Sequence, residues 1–190
     1  IFRLADLTRE AEDSEAELGH LNRIIELDSE NVNARSRLKD HYLDQGDTQS
    51  ALEQLDMLVG LAEQSGDTAA LEGYLREAVE VAPEDERNYR RLAALYIEQG
   101  ETGKAVVELF NLIEMYGESG QEAKIADPLA KIVEIDRNNE EAHRRLKDMH
   151  VENGEKKEAI GELFALVRIA NREGNIKKAE NYLREIFKLD

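Results

Sequence analysis

Apolar positions in this chain recur at i, i+3, i+4 and i+7, the spacing that lines one face of an α-helix. Tyr89, Leu92, Ala93 and Tyr96 make one such stripe and predict a helix over roughly 84–99. From Lys104 to Tyr116 the pattern changes, because Ala105, Val106, Val107, Leu109, Phe110, Leu112, Ile113 and Met115 leave almost no polar side. A helix of that kind is buried by neighbours on more than one face. A third stripe follows in Ala123, Ile125, Ala126, Leu129, Ile132 and Val133. Gly100 and Gly120 stand where a left-handed C′ residue stops a helix, and Glu101 and Thr102 supply an acidic, capping start for the next.

This three-helix pattern is repeated. Gly46, Gly100 and Gly154 stand 54 residues apart, as do Leu38, Leu92 and Leu146, then Ala51, Ala105 and Ala159, and Leu55, Leu109 and Leu163. Leu58, Leu112 and Leu166 keep the same register, with Gly66, Gly120 and Gly174, and Leu75, Leu129 and Leu183. Leu4, Leu7 and Leu21 join it one period earlier. The chain therefore divides into a partial unit, 1–27, and units 28–81, 82–135 and 136–190, all within one helical-repeat domain spanning 1–190. Two helices in the opening unit and three in each of the others predict about eleven. Short loops make consecutive helices antiparallel neighbours, and stacking completes a core that no unit closes alone. The chain opens on Ile1, Phe2, Arg3 and Leu4, neither a start nor a signal, and the stripe of Ile176, Ala179, Leu183, Ile186 and Phe187 has no following helix to cover it. The expectation is a piece of a longer protein.

Two windows resemble the tetratricopeptide repeat (TPR). Tyr89, Leu92, Ala93, Tyr96, Gly100, Ala105, Leu109 and Leu112 follow its order of aromatic, leucine, small, aromatic, glycine, alanine and apolar residues. Leu55, Leu58, Val59, Ala62, Gly66, Leu71, Leu75, Ala78 and Pro83 follow it again without the aromatics. Leu112 and Gly117 stand where the family has Ala and Pro, and the period is 54 rather than the family's 34. The resemblance implies an all-α, antiparallel helix-pair solenoid wound as a right-handed superhelix, and a surface that takes protein or peptide partners. With three helices per unit, strict alternation between two layers places Arg37 and Arg145 on one side of the array and Arg91 on the other. A third helix standing out of the layers places all three on one surface.

Composition narrows the function. Cysteine is absent, so disulfides, thiolate metal sites and cysteine nucleophiles are excluded and a cytoplasmic location is expected. No apolar run approaches the ~20 residues that span a bilayer. The net charge is −17 and unevenly placed: residues 1–81 hold 19 Asp/Glu against 7 Lys/Arg (−12), 82–135 hold 11 against 6 (−5), and 136–190 hold 12 against 12 (0). Phosphate backbones and anionic membranes are repelled over most of the length, and a basic or mixed-charge protein fits better.

Arg37, Arg91 and Arg145 are the basic position kept in all three full units, and Arg87 sits one turn before Arg91. Arg87 and Arg91 match positions at which members of the family capture a peptide carboxylate, for which a bidentate guanidinium is suited. The competing reading is structural, with the arginines paired to carboxylates on adjacent helices. His143 and His150 share one helix, but their counterparts are Tyr89 and Tyr96, so these are packing positions with a polar tip rather than metal ligands. No nucleophile elbow, zinc-protease helix or phosphate loop occurs, and neither an enzyme nor a cofactor is expected. Pro128 stands where the neighbouring units carry Tyr74 and Tyr182, which demands a kink or a late helix start. One reading is local variation of the repeat; the other is a bend that opens a groove for a ligand. The expected function is a non-enzymatic protein-interaction scaffold; the alternatives are self-assembly through apolar ends of the array and a small-ligand regulatory domain.

Overall fold

A computed structural model describes residues 14–189. Among them it contains ten α-helices, one 3₁₀ turn and no strand. Leu4 and Leu7, with the eleventh helix expected around them, lie outside the described residues. The helices are α1 (Ser14–Leu27), α2 (Val32–Asp44), α3 (Thr48–Ser65), α4 (Thr68–Val81), α5 (Glu86–Glu98), α6 (Thr102–Glu118), α7 (Ala126–Ile135), α8 (Glu140–Glu152), α9 (Lys156–Arg172) and α10 (Ile176–Leu189).

Their starts follow from short acceptor side chains. Asn31, Asp47, Asp67 and Asn139 accept the backbone N–H three residues on, at 3.0–3.1 Å, which satisfies one of the free donors of a helix's first turn. The expected cap at Glu101 does not form. Its side chain is one methylene longer than aspartate and instead reaches Lys104 at 2.6 Å. Helix ends follow from glycine: Gly100 has φ +74°, and Gly46 and Gly154 match it at +72° and +75°. An added Cβ at Gly100 would meet nothing within 4 Å, so the requirement for glycine is conformational rather than steric.

Pro128 produces a late start. Glu122–Lys124 form a 3₁₀ turn and α7 begins at Ala126, whereas α4 and α10 begin at Thr68 and Ile176, the positions equivalent to Glu122. Proline is third in α7, where its missing N–H would have had no helical acceptor, so the helix is shortened and not kinked.

Backbone packing groups the chain into two compact units, 1–95 and 96–190. In the first, α1 packs on α2, α2 on α3 and α3 on α4. Side chains also link alternate helices: Lys39 of α2 bonds Glu77 of α4, and Arg91 of α5 reaches Glu63 of α3 at 2.8 Å. So α2 and α4 share one layer while α3 and α5 share the other. In the second unit α6, α7, α8, α9 and α10 pack in succession. Arg145 of α8 lies over Phe110 of α6, and Lys147 of α8 reaches Glu185 of α10 at 3.4 Å. This is helix-pair stacking with strict alternation inside each unit.

The middle helices carry the core. Leu55 and Leu58 of α3, Leu112 and Tyr116 of α6, and Leu163 and Leu166 of α9 are all fully buried. The perimeter of α6 is not wholly covered, since Val107 is half exposed, as is Phe164 on α9.

Candidate interaction surface

Arg35, Tyr89 and His143 are equivalent in the 54-residue register and all are buried. Arg35 Nε donates to the Ser29 carbonyl at 2.7 Å, the Tyr89 hydroxyl donates to the Pro83 carbonyl at 3.0 Å, and His143 Nε2 faces the Arg137 carbonyl at 3.3 Å. Those three carbonyls are themselves equivalent. The second contact also recurs, from Arg35 to Gln54 and from His143 to Glu162. A histidine held on both ring nitrogens by the scaffold is occupied structurally. His150 is likewise bound to Glu155, at 2.6 Å, and no grouping of three metal-ligating side chains occurs among the described residues.

Each of the four candidate arginines is engaged by a neighbour within its own unit. Arg37 on α2 bonds Glu17 of α1, with Nε at 3.1 Å. Arg87 folds back on Asp85, with Nη2 at 2.6 Å. Arg91 on α5 bridges Glu63 at 2.8 Å and Asp56 at 3.7 Å on α3. Arg145 bonds Glu141 through Nε at 2.6 Å and stacks its guanidinium 5.5 Å from the Phe110 ring centroid. In the repeat register Phe110 stands where Asp56 does, so the same arginine position exchanges an ion pair for a cation–π contact. Within the first unit Arg37 and Arg91 fall on opposite layers, and no shared carboxylate-binding surface joins them. Bonding to Arg87 holds the Asp85 carboxyl below the usual carboxylate range against a smaller opposing effect of burial. Bonding to Arg145, and then to Arg144, does the same for Glu141.

A second brace also recurs. Lys39 is buried, and burial alone would lower its pKa; bonds to Glu77 and Asp40 outweigh that and raise it. Lys147, with Asp148 and Glu185, repeats the arrangement and the direction.

Two grooves differ between repeats. Glu30, Val32, Ala62, Gln64, Ala70 and Tyr74 line an opening of about 370 Å³ between α2, α3 and α4. Its counterpart in the second unit is bridged by polar bonds. Glu140 replaces Val32 and takes bonds from Lys178 and from the Tyr182 hydroxyl at 3.1 Å, while Arg172 replaces Gln64 and reaches Asn138 at 2.7 Å. The bond from Lys178, then that from Tyr182, holds Glu140 below the usual carboxylate range despite partial burial. The larger groove, about 610 Å³, lies where α7 starts late, lined by Ile113, Ile125, Ala126, Arg145, Met149 and Glu152, among others. Sequence reasoning singles out Pro128 but not Ile113, Met149 or Glu152, which come from other helices and carry no motif.

The last helix leaves apolar surface open. Leu183 is 38% exposed where its counterparts Leu75 and Leu129 are 1% and 0%, and Ile176 and Phe187 are 69% and 82% exposed. No helix of the described residues is long and apolar enough to cross a membrane.

No protein-family model matches this chain, and none of the curated proteins compared with it matches by sequence. Solved structures that resemble it include MamA (18% identity, 71% of this chain and 89% of that one, TM-score 0.32). YrrB, described as a TPR protein with an unusual peptide-binding site, is 17% identical over 73% of this chain and 86% of its own, with TM-score 0.31. The TPR domain of P58(IPK) is 13% identical over 98% of this chain and 64% of its own, with TM-score 0.32. YrrB and the P58(IPK) domain are described as TPR proteins. Among its described residues this chain is all-α, with successive helices packed side by side within each unit.

Proposed function

We propose that this chain is a non-enzymatic scaffold that presents a helical-repeat surface to a protein or peptide partner. The observation that carries the reading is the contrast between what repeats and what does not. Core leucines, the carbonyl anchors at Arg35, Tyr89 and His143, and the lysine braces at Lys39 and Lys147 recur in register. The surface over them varies, with a groove open beside Val32 and its counterpart bridged at Glu140. A constant frame under a variable surface is the organisation by which solenoids display side chains to partners.

The finer reading is a basic or mixed-charge partner met by the acidic first half, in a reducing compartment such as the cytoplasm. Exposed charges attract over a Debye length of ~10 Å at 0.1 M salt, so the association rate should fall as salt rises. Affinity capture on the immobilised chain, followed by titration and rate measurement with each purified candidate, tests this. Saturable binding with a salt-dependent rate is expected. A flat salt profile removes the electrostatic part, and the lack of any saturable partner removes the scaffold.

A second reading, self-assembly, is favoured by the open stripe of Ile176, Leu183 and Phe187, because contiguous exposed apolar surface marks interaction sites. Light scattering over a concentration series separates the two.

A further inference from the structure

We propose that the groove at the late start of α7 is a docking site for a protein segment in which an aliphatic side chain adjoins a lysine or arginine. The inference rests on the scaffold reading and names the chemistry of one of its partners.

The groove exists because this repeat departs from its own pattern. In α4 and α10 the first helical turn covers the ground that here is left to the 3₁₀ turn Glu122–Lys124. The space so opened, about 610 Å³, falls in the roughly 300–1,000 Å³ range of sites that bury a ligand group. Its apolar lining is Ile113, Ala123, Ile125, Ala126 and Met149, and Ala126 is exposed. Ile113 is buried in the core of α6, so this lining is rigidly backed; Met149 supplies a side chain that adapts to the shape of its guest.

Charge decides what accompanies the aliphatic group. Arg145 lines the groove but its guanidinium is engaged by Glu141 and by the Phe110 ring. Asp148 is paired to Lys147 at 2.6 Å. Glu122 and Glu152 also line the groove, and neither has an ion pair among the described residues. The charge presented to a guest is therefore net negative, and a cation next to the buried aliphatic group complements it.

The test is to pan a random-peptide phage library against the whole 190-residue chain and measure binding of the enriched, fluorescein-labelled peptides by polarisation. The comparison variants are Ala126→Trp, which adds bulk to the lining from an exposed position, and the double variant Glu122→Lys with Glu152→Lys. Enriched peptides should pair Leu, Ile or Met with Lys or Arg. Each variant should raise Kd by about tenfold or more, which is ~1.4 kcal/mol. Both substitutions are at exposed side chains, so their melting should match the parent; should Ala126→Trp fail to fold, the charge-reversed variant alone decides. Peptides that bind the parent and these variants with equal Kd place the site elsewhere and overturn the groove while leaving the scaffold standing. Enrichment of acidic sequences, or of none, also overturns the groove, and the scaffold is then judged by capture of a folded partner.

Discussion

The Tyr89 hydroxyl donates to the Pro83 carbonyl oxygen across 3.0 Å, tying the start of α5 to the turn that precedes it. Arg35 and His143 make the equivalent tie with different chemistry, so the helix entry is selected by the bond and not by the side chain. Tyr89→Phe should cost about 0.5–1.5 kcal/mol, the net worth of one hydrogen bond. Tyr89→His should recover part of it. Thermal melting followed by circular dichroism checks both, and equal stability of Tyr89→Phe and the parent would show the bond to be incidental.

The Lys39–Glu77 brace predicts an asymmetry. Glu77→Ala leaves an ammonium in a buried position with only Asp40 beside it and should destabilise by about 1–3 kcal/mol. Lys39→Met fills the same space with an apolar side chain and leaves Glu77 partly in water, so it should be near neutral or stabilising. Denaturant titration of the two variants decides; the reverse order would contradict the assignment of Lys39 as the costly partner.

At Gly100 the backbone requires φ +74° with open space around the missing Cβ. Gly100→Val should cost about 1–2 kcal/mol because β-branched residues avoid the left-handed region. Gly100→Asn should cost clearly less, since asparagine visits that region. Equal melting temperatures for the two would rule out a conformational origin.

Core burial sets a larger scale. Leu163→Ala on α9, where the side chain is fully buried, should destabilise by about 2–5 kcal/mol, while Lys156→Ala on the exposed start of the same helix should change stability by less than about 0.5 kcal/mol. Urea unfolding midpoints give the comparison directly.

The bonds from Lys178 and Tyr182 hold Glu140 below its ordinary range. A carboxyl with a depressed folded pKa adds stability above the unfolded value, ~4.3, and loses it as pH falls through the folded value. Parent and Glu140→Gln should therefore differ at neutral pH by up to about 1 kcal/mol, and the difference should shrink on acidification below that range. A pH series of melting temperatures tests the sign.

The sequence is most legible where physics is local. Gly46, Gly100 and Gly154 mark helix ends because glycine takes the left-handed conformation they adopt at little cost, and the apolar perimeter of α6 announces a buried helix before any neighbour is known. Pro128 announces an irregular start for α7. The register further pairs His143 with Tyr89 and so reveals a packing role. What sequence leaves open depends on how helices face one another: whether layers alternate, that Arg91 meets Glu63 while Arg145 meets Phe110, and that Ile113, Met149 and Glu152 converge beside the shortened helix. Those relations join residues on different helices, far apart in the chain, and no periodicity encodes them.

Native mass spectrometry of this chain with a captured partner asks whether it binds a second protein and leaves it chemically unchanged. The expected result is a complex whose mass is the sum of the chain and its partner, with both components released unaltered on activation. A partner recovered with a changed covalent mass, or a chain that forms only complexes with itself, would contradict it.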